Sequence, residues 1–153
     1  MKPLLDAALA RGVMIATAES CTGGMVAAAI TDTAGSSAVF DRGFVTYTNA
    51  AKMQMLGVSA DTLAAHGAVS EQVAQEMARG ALAHSDAQLA VAITGIAGPG
   101  GSEHKPEGRV CFAIATPDTC QSETVEFGAP GRDEVRRAAR DHALQLLLAA
   151  LST

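Results

Sequence analysis

The stretch Val13-Met-Ile-Ala-Thr-Ala-Glu-Ser-Cys-Thr-Gly-Gly24 joins an apolar run to a turn of small and polar residues. Its first part, residues 13–18, is typical of a buried β-strand. Residues 22–32 have the small side chains of a closely packed helix, and Thr22 is predicted to cap it. Ser20 is therefore predicted to lie where a strand turns into a helix, a position at which active-site serines are often displayed.

This turn also has a plainer interpretation. Thr22-Gly-Gly24 can be only a tight turn that lets a helix pack closely on a sheet. Alternatively, free backbone N–H groups at the helix start can hold an anion. The choice between the two depends on what else the chain places near Ser20.

Size and composition limit the classes of protein to which the chain can belong. We expect one domain over residues 1–153, because this length supports a single substantial core and is too short for two. Hydrophobic residues make up 48% of the chain but aromatic residues only 3%, so the core is predicted to consist of aliphatic side chains. The net charge of −5 argues against non-specific binding to nucleic acid, although a local pocket can still bind an anionic small molecule.

Cellular location and metal binding are judged from the termini, cysteines and histidines. The run after Lys2 is amphipathic and no window reaches the length of a membrane span, so neither a signal segment nor a membrane anchor is expected. The three cysteines, Cys21, Cys111 and Cys120, form no C-x-x-C pair, which favours a reducing cytoplasm. The four histidines are scattered, and we expect neither a metal nor a cofactor.

The order of the predicted elements indicates the fold class. Helices are predicted at 3–11, 22–32, 49–56, 59–65, 70–84 and from about 131 to 151. Strands are predicted at 13–18, 38–47 with an irregularity at Gly43, 88–93, 108–115 and 123–127, the last two forming an antiparallel hairpin around Pro117-Asp118. This order predicts an α/β fold, a single three-layer α/β/α domain with a mixed sheet.

A second glycine-rich turn, Thr94-Gly-Ile-Ala-Gly-Pro-Gly-Gly101, follows the apolar strand 88–93. It lacks the Lys-Ser/Thr of a P-loop and the G-x-G-x-x-G dinucleotide pattern. Such a loop can be a flexible connector, or its backbone N–H groups can cradle a phosphate or carboxylate. The turns after strands 13–18 and 88–93 are expected to meet at one edge of the sheet, where ligands of open α/β folds bind.

The segment Val45-Thr-Tyr-Thr-Asn-Ala-Ala-Lys52 supplies further candidates for catalysis. Tyr47 is the only tyrosine, and Lys52 is one of three lysines. If Asn49 caps the next helix, Lys52 lies in its first turn, where the helix dipole and burial both lower a lysine pKa. A neutral amine can accept a proton from a serine hydroxyl. The alternative is an ordinary solvated lysine on a helix surface.

Two neighbours of Ser20 have open roles. Glu19 can assist proton transfer, or its carboxylate can cap backbone N–H groups. Cys21 is a rival nucleophile, since a helix N-terminus favours a thiolate, although a small buried thiol is its more usual role. The arginines of the last helix, Arg132, Arg136, Arg137 and Arg140, are predicted to form a solvated face.

Three segments together, Thr17–Gly24, Gly43–Lys52 and Thr94–Gly101, resemble the CinA C-terminal domain family, and Gly67-Ala-Val-Ser70 does so as well. The resemblance covers essentially the whole chain, with the motifs in the family's order and spacing. It implies the stand-alone form, without a molybdopterin-binding-like domain, whose members are amidohydrolases that convert nicotinamide mononucleotide to nicotinate mononucleotide and ammonia. It also implies a homodimer.

Carried onto this sequence, the family's catalytic set is Ser20, Tyr47 and Lys52. The resemblance implies that Ser20 attacks the carboxamide carbon, Lys52 accepts its proton, and Tyr47 relays or positions that proton. Backbone N–H groups of residues 22–24 would stabilise the oxyanion, and the loop 95–101 would hold the ribose phosphate. The expected substrate-binding residues are Glu19, Cys21, Thr22, Gly23, Gly24, Asn49, Thr94, Gly95, Gly98, Gly100 and Gly101.

Other functions remain open at this point. The chain departs from the better-known G-x-S-x-G motif, since Ala18 and Thr22 stand where that motif has glycines, and it has no S-x-x-K. One alternative is a catalytically silent nucleotide-binding or competence-associated regulatory module. Another is a hydrolase that depends on Cys21.

Overall fold

The computed structural model describes residues 1–152, which form a mixed α/β arrangement. Its helices are α1 (Lys2–Arg11), α2 (Met25–Thr31), α3 (Asn49–Leu56), α4 (Ala60–His66), α5 (Glu71–Ala83) and α6 (Arg132–Leu151), with a 3₁₀ turn at Ser36–Ala38. Its strands are β1 (Ile15–Glu19), β2 (Phe40–Val45), β3 (Leu89–Gly95), β4 (Arg109–Ala115) and β5 (Cys120–Glu126). Among residues 1–152, no helix is both long and apolar enough to cross a membrane.

The five strands form one sheet in the order β2-β1-β3-β4-β5. β1 is parallel to β2 and β3, whereas β4 is antiparallel to both β3 and β5, so the predicted mixed sheet and terminal hairpin are confirmed. Glu19 pairs with Ile93 in the register of β1 and β3. Ser20 and Thr94 therefore leave the same edge of the sheet side by side, as the sequence predicted.

Helices cover both faces of the sheet, and the two faces differ in side-chain size. Facing α1, α2 and α6, the central strands β1 and β3 present the large side chains Ile15, Leu89, Val91 and Ile93. Facing α5, they present the alanines Ala16, Ala18, Ala90 and Ala92. The predicted three layers are confirmed, and the small side chains under α5 let that helix lie close to the sheet.

Close packing on the α5 side also fixes α3. A Cβ atom built on Gly80 of α5 would overlap the carbonyl oxygen of Leu56, the last residue of α3. Glycine is therefore required where the two helices meet. This contact matters for the site because α3 carries Lys52.

The structure corrects the predicted N-caps of two helices. α2 begins at Met25 with Gly24 as its N-cap residue, so Thr22 is not the cap that its hydroxyl suggested. The cap of α3 is the side chain of Thr48, which accepts from the Ala51 N–H, and not Asn49. At α3, two adjacent residues with oxygen-bearing side chains compete for the same helix start, whereas at α2 the Glu19 carboxylate accepts the N–H groups that a cap would accept.

The β-strands also differ in detail from the prediction. Residues 36–38 form a turn, and β2 begins only at Phe40. The irregularity predicted at Gly43 falls instead at Asp41, because Ile15 pairs with Phe40 while Ala16 pairs with Arg42. Gly43 is regularly paired, and a Cβ there would crowd the Thr17 hydroxyl, so close packing explains this glycine.

Candidate active site

Ser20 lies directly after β1, on the wall of a cavity of about 310 Å³. Its backbone N–H donates to the carbonyl of Ile93 at 2.9 Å, which extends the β1–β3 pairing by one residue and fixes the Ser20 backbone. Ser20 is buried as a residue, with 7% of its surface exposed, yet it borders the cavity. A small molecule in the cavity can therefore reach this serine.

Lys52 also lines the cavity and contacts Ser20 there. It is 1% exposed, and its Nζ lies 3.2 Å from the Ser20 Oγ. The same Nζ lies 3.1 Å from the carbonyl oxygen of Thr46 and 3.5 Å from that of Tyr47. The sequence-based pairing of Ser20 with Lys52 thus corresponds to a direct contact between buried side chains.

The surroundings of Lys52 favour its neutral form. Burial lowers the pKa of the Lys52 ammonium below its ordinary value of 10.5, while Cys21, when it is ionised, and the negative charge of Glu103 act in the opposite direction. A neutral amine has two N–H groups and one lone pair. Because the carbonyls of Thr46 and Tyr47 can accept the two N–H groups, the lone pair is left for the Ser20 hydroxyl.

The Tyr47 side chain takes a different place from the one predicted for a proton relay. It is 57% exposed, and its hydroxyl accepts from Nη2 of Arg132 at 2.8 Å. Only the backbone carbonyl of Tyr47 contacts the Lys52 amine. The structure therefore brings Ser20 and Lys52 together, whereas the Tyr47 hydroxyl lines the cavity beside Arg132.

Glu19 supports the Ser20 turn from beneath. Its carboxylate is fully buried and accepts from the Thr22 hydroxyl at 2.6 Å and from the backbone N–H groups of Gly24, Val26 and Ala27. Of the two roles left open for Glu19, the structure shows the capping one. Residues Glu19, Thr22, Gly23 and Gly24 are not among those that line the cavity.

Two of the backbone N–H groups expected to face an oxyanion are already used. The Gly23 N–H donates to the Ser20 carbonyl, and the Gly24 N–H donates to Glu19. Within residues 1–152, the N–H group of Thr22 has no acceptor, and the N–H group of Cys21 bonds only to its own thiol sulfur. Cys21 also lines the cavity, so its N–H is the better placed of the two to meet a bound molecule.

The Cys21 thiol is poorly suited to be a nucleophile. Cys21 is 5% exposed, and burial raises the pKa of its thiol to about 12. The thiol therefore stays protonated at neutral pH, whereas nucleophilic attack requires the thiolate. In addition, the Lys52 amine contacts Ser20 and not the sulfur.

The glycine-rich loop forms the opposite wall of the cavity, as predicted. Its lining residues include Thr94, Gly95, Gly98, Gly100 and Gly101, and Asn49 lies at the cavity as well. The Thr94 hydroxyl donates to the Ala68 carbonyl at 2.8 Å, and the Gly100 N–H donates to Glu107 Oε1 at 2.6 Å. The loop is thus tied to its surroundings at both ends and is more than a flexible connector.

The sequence prediction missed two arginines of α6, which were expected on a solvated face. Arg132 lines the cavity and donates to the Gly98 carbonyl at 2.7 Å as well as to Tyr47. Arg136 donates to the carbonyl of Cys21 at 3.0 Å and to that of Thr22 at 3.4 Å. Their spacing of four residues places them on one helix face, and this was the available signal. Arg137 and Arg140 form surface ion pairs, as predicted.

Metal-ligating side chains do not gather in the described part of the chain. Among residues 1–152, no group of three or more His, Cys, Asp or Glu side chains lies close enough to share a metal ion. The ionisable groups that line the cavity are those of Cys21, Tyr47, Lys52, Glu103 and Arg132.

Comparisons with known proteins identify the family and related chains. The family described as CinA C-terminal domain matches residues 1–151. Over 139 residues, the chain is 60% identical to the nicotinamide-nucleotide amidohydrolase PncC of Escherichia coli (strain K12), covering 90% of this chain and 84% of that protein. The corresponding protein of Enterobacter agglomerans is 53% identical over 140 residues, covering 91% and 85%.

A solved structure supports the same relationship. The competence/damage inducible protein CihA from Agrobacterium tumefaciens superimposes with a TM-score of 0.93 at 51% identity, covering 99% of this chain and 92% of that one. Fold, motifs and sequence identity thus agree along nearly the whole chain. The chain belongs to the CinA C-terminal domain family.

Proposed function

We propose that this protein is an amidohydrolase that converts nicotinamide mononucleotide to nicotinate mononucleotide and ammonia, with Ser20 as nucleophile and Lys52 as base. The substrate is suggested by relatives that are named nicotinamide-nucleotide amidohydrolases. The observation that carries the mechanism is the 3.2 Å contact between the Lys52 Nζ and the Ser20 Oγ, both buried beside the cavity.

The first half of the reaction forms an acyl-enzyme. The Ser20 Oγ attacks the carboxamide carbon while its proton passes to the lone pair of Lys52. The resulting ammonium is held by the carbonyls of Thr46 and Tyr47. It then returns the proton to the departing nitrogen as the C–N bond breaks, which releases ammonia and leaves an ester on Ser20.

The second half regenerates the serine. Lys52, neutral again, takes a proton from a water molecule that attacks the ester carbon. The C–O bond to Ser20 then breaks, Ser20 recovers its proton from Lys52, and nicotinate mononucleotide leaves. The same lysine acts as base and then as acid in both halves, so one buried amine is sufficient.

We assign the oxyanion to the backbone N–H of Cys21, with that of Thr22 beside it. The N–H of the residue after a nucleophile is a common donor at a strand-to-helix turn. The Gly23 N–H donates to the Ser20 carbonyl and holds the peptide that carries the Cys21 N–H, and Arg136 donates to the Cys21 carbonyl and holds the next peptide, which carries the Thr22 N–H. From the sequence, the N–H groups of residues 22–24 were expected to stabilise the oxyanion. Those of Gly23 and Gly24 already donate within the turn, so they are left out of this assignment.

The ribose phosphate is assigned to the end of the cavity formed by Arg132 and the loop 95–101. Arg132 is the permanent cation among the cavity-lining residues of the described chain. Tyr47 lies between this end and the dyad: its hydroxyl contacts Arg132, and its carbonyl contacts Lys52. In this assignment Tyr47 positions the amine through its backbone and faces the substrate with its ring.

Ammonia release from nicotinamide mononucleotide tests the proposal. We expect Ser20→Ala to lower kcat by about 10⁴-fold or more. Lys52→Met, which keeps the length and apolar stem of the side chain, should lower it by roughly 10²–10⁴-fold, the usual contribution of a positioned base. Cys21→Ser serves as the matched control, because it changes the adjacent side chain but leaves the dyad in place.

Each alternative function has its own outcome. Full activity of Ser20→Ala together with loss of activity in Cys21→Ser would transfer the nucleophile role to Cys21. Binding of the nucleotide without ammonia release by the unmodified protein would point to the silent binding module. The homodimer implied by the family stays a prediction, which sedimentation of the purified protein would test.

A further inference from the structure

One ionisable side chain of the cavity has no role in the mechanism above. Lys52 serves as base, and Arg132 is assigned to the phosphate, but Glu103 also lines the cavity. Its carboxylate takes part in no hydrogen bond or ion pair with any other residue in the range 1–152. It is therefore available to a bound molecule.

Glu103 is held in place by its backbone. It lies in a turn closed by pairing of Ser102 with Lys105, and its φ of 53° is unusual for a residue other than glycine. Lys105 fixes this turn by donating from its Nζ to the carbonyls of His66 and Val69, both at 2.6 Å. Strained backbone of this kind is retained where its surroundings determine the conformation.

The Glu103 side chain is exposed, and its carboxylate lies beside Gly67, since a Cβ atom built on that glycine would overlap Oε2. The carboxylate is close enough to the dyad for its charge to act on Lys52, where it raises the amine pKa against the effect of burial. The cavity thus has a negative group whose charge reaches Lys52, in addition to the cation Arg132.

The proposed substrate has the complementary distribution of charge. Nicotinamide mononucleotide has a positively charged pyridinium ring next to the carboxamide and a negatively charged phosphate at the far end of the ribose. With the carboxamide at Ser20, the ring lies in the cavity that Glu103 also lines, and opposite charges attract each other there.

We propose that Glu103 is a specificity residue that recognises the positive charge of the substrate's pyridinium ring. This inference rests on the proposed function, because it takes the ring position from the attack of Ser20. Glu103 then favours the quaternised ring of a nucleotide over the neutral ring of free nicotinamide. The product differs by a new carboxylate beside the same ring, and Glu103 repels that carboxylate, which assists product release.

Binding to the Ser20→Ala protein separates recognition from turnover. Two ligands serve as probes: nicotinamide mononucleotide and its 1,4-dihydro form, which keeps the ribose, phosphate and carboxamide but has an uncharged ring. We expect the oxidised ligand to bind about tenfold more tightly than the dihydro ligand, as measured by titration calorimetry. Adding Glu103→Gln should remove most of this preference, mainly by weakening the oxidised ligand, and Glu103→Asp should restore part of it.

Asp6→Asn on the Ser20→Ala background is the matched control. It removes one negative charge from α1 at an exposed residue outside the cavity, and the preference should persist. An equal loss of affinity for both ligands in Glu103→Gln would overturn the proposal, since it would assign Glu103 to the ribose or to loop structure. An unchanged preference would overturn it as well.

The proposed function and this inference fail in different ways. If the Ser20→Ala protein shows the charge preference but the unmodified protein releases no ammonia, the amidase assignment fails while charge recognition by Glu103 stands. If ammonia is released but the preference is absent or insensitive to Glu103→Gln, the inference alone fails. If neither ligand binds and the unmodified protein releases no ammonia, both fail.

Discussion

At the residue scale, the chemistry depends on one lysine placed where its charge is disfavoured. A lysine amine in water is protonated at neutral pH and cannot accept a proton. Lys52 is almost fully buried, and the acceptors around it are two backbone carbonyls and the Ser20 hydroxyl. These groups can satisfy either state of the amine, so Lys52 can change protonation state during the reaction without rearrangement of its neighbours.

This environment predicts a pH dependence of activity. Lys52 acts as a base only when it is unprotonated, so kcat/KM should rise with pH through the Lys52 pKa. Burial lowers that pKa, and the rising part of the profile should therefore lie below 10.5. Because the negative charge of Glu103 raises the pKa of Lys52, Glu103→Gln should move the rising part to lower pH.

Rates of ammonia release across a pH series, fitted for kcat/KM, check this prediction. Asp6→Asn also removes one negative charge, but on α1 and outside the cavity, so the pH dependence of kcat/KM should not shift. A profile that moves to higher pH in Glu103→Gln would contradict the assignment of Lys52 as the titrating base.

At the scale of single elements, the strand–turn–helix unit around Ser20 shows how far the sequence alone could lead. The apolar pattern of β1 and the glycines after it predicted the element types and the position of Ser20 at the turn between strand and helix. The start of α2 was misplaced because Thr22 is a good capping residue by type. In the folded chain, the buried Glu19 carboxylate accepts hydrogen bonds from the Thr22 hydroxyl and from the N–H groups that a capping side chain would otherwise accept.

Glu19 should therefore have a large effect on stability. In Glu19→Gln, the remaining oxygen can keep the bonds now made by Oε1, but the new NH₂ group faces the Ala27 N–H, which Oε2 accepts at present. The loss of a charged acceptor and the burial of two opposed donors should lower the free energy of unfolding by about 1–3 kcal/mol. Urea denaturation with an unchanged m-value checks this expectation.

Glu134→Gln provides the comparison for Glu19→Gln, because its carboxylate is exposed and pairs only with Arg137 on the helix surface. Its effect should stay within about 0.5 kcal/mol. A similarly small effect for Glu19→Gln would mean that water or backbone movement replaces the carboxylate, and that the turn does not depend on it.

At the scale of the whole molecule, the site is assembled from segments that are far apart in the chain. Ser20 follows β1, Lys52 lies on α3, the glycine-rich loop follows β3, and Arg132 begins α6. Local patterns predicted the first three because each has a motif next to a strand or helix start. Arg132 was missed because its four-residue spacing from Arg136 also fits a solvated helix face, and its contact with the Gly98 carbonyl exists only in the folded chain.

A ligand that fills this site should therefore stabilise the whole fold and not one loop. For the Ser20→Ala protein with nicotinamide mononucleotide at 100 times its Kd, linkage predicts a gain of about 2.7 kcal/mol in the free energy of unfolding. For a chain of this length, that gain corresponds to a rise in Tm of roughly 5–10 °C.

Hydrogen exchange should slow in residues 19–24, 45–52, 94–101 and 132–136 together, because all four segments surround the ligand. Nicotinamide riboside, which lacks the phosphate, should protect 132–136 least, whereas protection confined to 94–101 would contradict a substrate that spans the cavity from Ser20 to Arg132.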